Sequence, residues 1–234
     1  NQTQTPAPAA ASGPGLQTLA RQDVPAVAAG ERSKAVARVS ILPGDVLQPI
    51  RGGAMRVVEN MEASLHVPTA TSVRTIPVRT LEENRRLLNK HREAAGQGKV
   101  SFTHLVAWAI LRAFDTFPRM NDAYAEVDGQ AHRIQRDQVR LGIAVDVQKK
   151  DGSRTLLVPN VKDAQKLSFA EFLKAFDDLV ARSRKGTISP DDFMGTTVSL
   201  TNPGTVGTTS SAPRLMPGQG VIVDRGDIDA IGHR

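Results

Sequence analysis

Between Leu141 and Gly207, two short apolar runs bracket a capped amphipathic helix, and this order restricts the possible folds more than any other feature of the chain. Val139 to Val147 (VRLGIAVDV) and Thr155 to Val161 (TLLVPNV) have the length and apolar, β-branched character of buried strands, joined by a polar loop containing Asp151-Gly152. Ser168-x-x-Glu171 is a capping box, in which the serine hydroxyl and the glutamate carboxylate satisfy each other's backbone N–H groups at a helix start. Phe169, Phe172, Leu173, Phe176, Leu179 and Val180 then fall on one face, and Gly186 ends the helix. Ser189-Pro190-Asp191-Asp192 reads as a further helix start, with Pro at the first position and acids facing the helix dipole. A strand from Thr196 to Thr201 follows, closed by Asn202-Pro203-Gly204, and a last apolar run covers Gly220 to Val223.

Upstream, Gly53 to Ser64 carries Ala54, Val57, Val58 and Met61 at helical spacing, and Val67-Pro68 ends that element. The alternating, β-branched residues 69–79 (TATSVRTIPVR) predict a strand. Leu81 to Glu93 predicts an exposed helix closed by Gly96 and Gly98. Ser101 to Phe117 predicts a helix with apolar residues around most of its circumference, a pattern that implies full burial, and Pro118 ends it. Asp128-Gly129 joins residues 123–128 and 131–135 as a tight hairpin. Residues 1–30 are rich in Ala, Pro, Gln and Gly and cannot bury enough surface to offset their ordering entropy. The expected organisation is a flexible linker over residues 1–50 and one folded domain over 51–234.

The 234 residues include no cysteine, which removes disulfides, thiolate metal sites and a cysteine nucleophile. No run reaches the roughly 18–20 apolar residues of a membrane span, and the N-terminal residues have no signal-peptide pattern, so a soluble cytoplasmic protein is expected. The net charge of +6 invites a nucleic-acid reading. Against it, basic residues alternate with acids, as in LEENRRLLNKHRE, and aromatics are only 4%, too few to build stacking platforms. A positive pocket for a phosphorylated cofactor uses the same surplus on a smaller scale.

Local chemistry is sparse. His104 lies in the apolar helix and reads as a core or interface imidazole, His91 as a solvated one, and His66 and His132 as structural. No histidine pair has zinc-site spacing, and neither a G-x-S-x-G nucleophile motif nor a phosphate-binding glycine loop occurs. Gly218-Gln219-Gly220 reads as a turn before a strand. Thr201 differs, because a hydroxyl at a strand end ahead of an Asn-Pro-Gly turn is a donor held in one place. Such a donor can stabilise an oxyanion, typically for about 3 kcal/mol of barrier. On local grounds the same residues also read as a plain strand–turn junction.

From about Arg51 to Val223 the ordered segments SFTHLVAWAILRAFDTFPRMN, LGIAVDV, LLVPNVKDAQKLSFAEF and Ile188 to Gly207 resemble the acyltransferase catalytic domain of 2-oxo acid dehydrogenase complexes. VPTATSVRTIPV, YAEVDG, DGSRTLLV, SLTNPGT and PRLMPGQG are most similar to the acyltransferase-like segment of the actinobacterial-type multifunctional 2-oxoglutarate dehydrogenase/decarboxylase. The resemblance implies an α/β fold of α+β two-layer type, chloramphenicol-acetyltransferase-like, with a mixed sheet backed by helices and assembly into homotrimers. Its active site is a channel between subunits that admits coenzyme A from one side and a dihydrolipoyl thioester from the other. Thr201 then takes the place of the oxyanion donor, Asn202 fixes the turn beneath it, and Arg214 with the Met216 to Gln219 loop takes the place of the coenzyme A channel wall.

The family's general base is a histidine in an Asp-His-Arg motif well beyond the strand matching Gly220 to Val223. Here the likeness is expected to stop at Val223, where DRGDIDAIGHR begins. His233-Arg234 has no aspartate before it, so the domain is expected to be incomplete at its C-terminus and inactive alone. The implied function is succinyl transfer from dihydrolipoamide to coenzyme A in the tricarboxylic acid cycle. The implied partners are a dihydrolipoyl-carrying protein and a thiamine-dependent decarboxylase segment, with thiamine diphosphate and magnesium confined to that fused segment. The alternatives are a catalytically inactive trimeric assembly module that docks partner enzymes, and an acyltransferase of a pyruvate or branched-chain complex.

Overall fold

The computed structural model describes residues 40–148 and 152–228, with Thr205 and Val206 as backbone only. In chain order the elements are α1 (Gly53–Ser64), α2 (Arg79–Ala94), α3 (Phe102–Thr116), β1 (Ala123–Val127), β2 (Gln130–Ile134), β3 (Leu141–Ile143), β4 (Val145–Gln148), β5 (Arg154–Leu157), β6 (Asn160–Val161), α4 (Phe169–Lys185), β7 (Val198–Thr201) and β8 (Val221–Asp224). Single 3-10 turns at Pro118–Asn121, Ala164–Lys166, Pro190–Phe193 and Pro203–Val206 punctuate them. The N-terminal unit ends at Gln48. Its described residues, 40–48, are exposed and contain one turn, in which Asp45 N–H donates to Leu42 O at 3.1 Å. Most of the expected linker lies outside the described residues.

The central sheet has the order β6-β3-β7-β8. β6 runs antiparallel to β3, whereas β3, β7 and β8 are parallel. Alternation along β7 sends Val198 and Leu200 into the core and Ser199 and Thr201 to the opposite face. The core side packs Leu141, Ile143, Val161, Val198 and Leu200 against Ala107, Leu111 and Phe114 of α3 and Phe172, Phe176 and Leu179 of α4. That is the expected two-layer arrangement of a mixed sheet backed by helices.

Local signals act as expected at several points. Ser168 and Glu171 form the capping box, and Gly186 caps α4 in the left-handed region at φ 71°. Asp128 (φ 52°) and Gly129 (φ 72°) both take the positive φ that a two-residue hairpin turn needs.

Five expectations need correction. Residues 69–79 form no strand: 69–78 have no regular secondary structure, are mostly exposed and have no ladder partner among the described residues, and Arg79 opens α2. β propensity supplies a suitable surface, but a strand also needs a neighbour. The run 139–147 is two strands with different partners on either side of Ala144: β3 pairs with β6 and β7, whereas β4 pairs with β5. The run 155–161 breaks at Pro159, which has no N–H to donate, while its carbonyl accepts from Ile143 at 2.8 Å. The Pro190 segment is a single 3-10 turn rather than a helix. Helix α3 buries one stripe (His104, Ala107, Leu111, Phe114) and leaves Ala109 and Ala113 exposed, so it is not enclosed all round in a single chain.

Candidate active site

Thr201 ends β7, a strand with a parallel neighbour on each side, at its carboxyl end. In open sheets with parallel strands this is where ligands gather. The residue is half-buried, and among the described residues its hydroxyl has no hydrogen-bond partner. Its backbone is held instead: Arg225 N–H donates to Thr201 O at 3.0 Å, and Asp224 stands opposite Thr201 in the β7–β8 register.

Asn202 is anchored at both ends of its amide. Nδ2 donates to Thr103 Oγ1 on α3 at 2.8 Å, and Oδ1 accepts from Arg225 Nε at 2.9 Å. Gly204 N–H donates to Arg225 O at 3.4 Å. The two backbones come so close that a Cβ on Gly204 would overlap the carbonyl of Gly226, and one on Gly226 would overlap Thr209 O. Absence of a side chain is therefore required at both positions. Asp224 fastens the other side of the loop, with Oδ2 accepting from Ser211 Oγ at 2.6 Å and from Ser211 N at 3.2 Å.

Gln219 is half-buried, and its Oε1 accepts from Ser199 Oγ at 2.9 Å, two residues before Thr201 on the same sheet face. Gly220 N–H donates to Thr197 O at 2.9 Å, and Arg136 Nη2 donates to Gly218 O at 3.1 Å. Gln219 is thus placed on the Thr201 side of the sheet. Arg214 is exposed on the segment leading into that loop.

His104 is buried in the first turn of α3, where Nδ1 accepts from Ser101 N–H at 3.0 Å and the ring meets Phe176 edge-on at 4.3 Å between centroids. Its Nε2 stands 3.1 Å from Asp177 Oδ1, in ion-pair range but outside hydrogen-bond geometry. Burial lowers its pKa, Asp177 opposes that shift, and Arg92 adds to it. His66, His91 and His132 are exposed, and His233 lies outside the described residues.

Sequence reasoning missed Thr103 and Arg225. Neither falls in a local motif, and only the fold brings them to Asn202. Among the described residues no three His, Asp or Glu side chains gather to hold a metal, and no helix is long and apolar enough to cross a membrane.

A model of the 2-oxoacid dehydrogenase acyltransferase catalytic domain matches residues 44–231, and the chain belongs to that family. The match runs past Val223 to residue 231, which corrects the expected loss of likeness there. The chain is 45% identical over 197 residues to the multifunctional 2-oxoglutarate metabolism enzyme of Mycolicibacterium vanbaalenii, a match covering 84% of this chain and 16% of the relative. It is 46% identical over 188 residues to the 2-oxoglutarate dehydrogenase E1/E2 component of Corynebacterium glutamicum, covering 80% of the chain and 15% of that protein. It therefore spans only about a sixth of the length of these relatives. Among solved structures, the dihydrolipoamide acetyltransferase of Azotobacter vinelandii superposes with a TM-score of 0.68 at 24% identity, covering 79% of this chain and 74% of that one. In that protein a serine, a histidine and an asparagine have been investigated for their role in the catalytic mechanism. A probable dihydrolipoamide acetyltransferase from Listeria monocytogenes has the same TM-score at 20% identity, covering 79% and 75%. These two likenesses establish the fold.

Proposed function

We propose that this domain transfers a succinyl group from a dihydrolipoyl thioester to coenzyme A, as part of a cytoplasmic 2-oxoglutarate dehydrogenase system serving the tricarboxylic acid cycle. The coenzyme A sulfur attacks the thioester carbonyl carbon, the bond from that carbon to the dihydrolipoyl sulfur breaks, and the thiol proton passes through a base to the departing sulfur. Between attack and departure, negative charge sits on the carbonyl oxygen. Thr201 donates its hydroxyl hydrogen to that oxyanion. The observation that carries this reading is a hydroxyl without a partner among the described residues, on a backbone pinned by Arg225 and a turn locked by Asn202.

Arg214 and the loop containing Gln219 form the coenzyme A wall in this reading. An exposed guanidinium suits a phosphate, and the Gln219 amide is set on the Thr201 side of the sheet by Ser199. Asn202 supports the turn, since both ends of its amide are already engaged by protein groups. Thiamine diphosphate and magnesium belong to a separate thiamine-dependent segment. The proposed assembly is a homotrimer served by a dihydrolipoyl-carrying partner.

The 234 residues contain no Asp-His-Arg triplet, so on their own they are expected to transfer acyl groups poorly. The test measures succinyl-coenzyme A formed from succinyl-dihydrolipoamide by the natural polypeptide that carries these residues. Thr201→Val should lower kcat by about 100-fold, whereas an unchanged kcat removes Thr201 from the mechanism. A second reading, a trimeric assembly module without chemistry, draws on the exposed apolar residues Val57, Val73 and Ile76. Trimers that neither bind coenzyme A nor turn over would favour it.

A further inference from the structure

We infer that Thr103 and Arg225 are positioning residues that set the Thr201 hydroxyl through Asn202, an inference that rests on the oxyanion role just proposed. Asn202 follows Thr201 directly, so the orientation of its side chain and the path of the backbone leaving Thr201 are linked. Arg225 Nε has only hydrogens to offer, so the atom 2.9 Å away has to be the amide oxygen. The amide nitrogen then faces Thr103 Oγ1 at 2.8 Å and donates to it. An arginine on one side and a hydroxyl acceptor on the other leave the Asn202 amide a single orientation.

The two anchors come from different elements. Thr103 sits in the first turn of α3, which is itself fixed by the reciprocal cap between Ser101 and His104. Arg225 immediately follows β8, and its main chain also binds the turn: its N–H reaches Thr201 O at 3.0 Å and its carbonyl receives Gly204 N–H at 3.4 Å. Thr201 is therefore held from the helix layer through Thr103 and from the neighbouring strand through Arg225. An oxyanion donor stabilises the transition state only if it already points at the developing charge, and a misplacement of about 1 Å can cost on the order of 100-fold in rate. The sequence alone places Arg225 in the stretch expected to depart from the family, whereas the structure gives it a direct link to the site turn.

Residues that act through a common partner lose their effects together, which separates positioning from plain structural support. The test uses the natural polypeptide and the succinyl-transfer assay. Thr103→Val, which keeps the shape and removes the acceptor, is expected to lower kcat about tenfold with KM for coenzyme A within about twofold of the parent. Arg225→Met is expected to do the same. Thr103→Ser, which retains the hydroxyl, should restore the parent kcat and shows that loss in the valine variant is not misfolding. The Thr103→Val, Thr201→Val double variant should be no slower than Thr201→Val alone. Multiplying losses in the double variant, or a parent-like kcat in Thr103→Val while Thr201→Val is impaired, would overturn the inference. If Thr201→Val retains full activity, the oxyanion role itself fails, a different result from either of these.

Discussion

One guanidinium holds both oxygens of the Asp192 carboxylate: Arg182 Nη1 lies 2.6 Å from Oδ2 and Nη2 lies 2.9 Å from Oδ1. Arg182 Nε also donates to Asp178 at 2.8 Å, while Asp192 Oδ2 accepts from Ser189 N at 2.8 Å and Ser189 Oγ at 2.9 Å. The cluster ties the last turns of α4 to the 3-10 turn leading into β7. The hydrogen bonds from Arg182 hold the Asp192 carboxyl well below the usual carboxylate range, and the two carboxylates raise Arg182.

Replacing the carboxylate with an amide removes the charge and one acceptor of this fork. Asp192→Asn is expected to cost about 1–2 kcal/mol at pH 7, with allowance for the partial exposure of Arg182. Because the folded-state pKa is depressed, the contribution is fully present above the ordinary carboxylate value of 3.8 and is lost as the pH falls below it. Urea unfolding at pH 7 and pH 3 checks this. A stability gap between parent and variant that stays constant across that range would contradict it.

The pKa of His104 is lowered too, but here burial favours the neutral form. Its Nδ1 accepts from Ser101 N–H at 3.0 Å, so protonation there forfeits the cap hydrogen bond as well as placing charge in a buried site. Burial lowers its pKa from 6.5, with Asp177 acting against the shift and Arg92 with it. Since the folded state favours the neutral ring, this stabilisation is complete above pH 6.5 and declines as the pH falls through the lowered folded-state value. His104→Gln keeps an acceptor at the same capping position without a titrating group. Unfolding midpoints measured at pH 7.5 and 5.5 should fall more for the parent than for the variant, and equal declines would remove His104 as the source.

Gly204 and Gly226 make a contact that no side chain permits. A methyl group on Gly204 would overlap the Gly226 carbonyl and the Asp227 nitrogen, both backbone atoms that cannot rotate away. Gly204→Ala is expected to destabilise the domain by about 3 kcal/mol and to disturb the Thr201 turn. Gly207 lies at φ 82° with open space around it, so Gly207→Ala carries only the left-handed backbone cost of about 1 kcal/mol. Chemical denaturation of the two variants should rank them in that order. The reverse ranking would remove close approach as the reason for glycine at residue 204.

These contacts divide what the sequence reveals from what only folding creates. The caps at Ser168 and Gly186 and the turn at Asp128-Gly129 are legible because all their partners lie within a few residues. The apolar stripe of α4 is legible because its period repeats along the chain. Pro159 could also have been recognised from its chemistry as a strand break. Thr103 and Arg225 carry no such signal, since each is an ordinary polar residue until β7, β8 and α3 meet. Thr201 stands between these cases: its place at a strand end is readable locally, whereas its proposed chemistry depends on family likeness.

Residues 69–78 show the same limit from the other direction and yield a final test. Val73 and Ile76 are each 69% exposed in a segment with no ladder partner among the described residues. Exposed apolar, β-branched side chains close together suit a surface that a second copy covers, in keeping with the proposed trimer. Val73→Ser combined with Ile76→Ser removes little that packs within one chain, so monomer unfolding should change by less than about 0.5 kcal/mol. Self-association followed by sedimentation velocity should weaken markedly in the same variant. If the variant unfolds more easily while its association is unchanged, this segment supports its own chain and does not meet a neighbour.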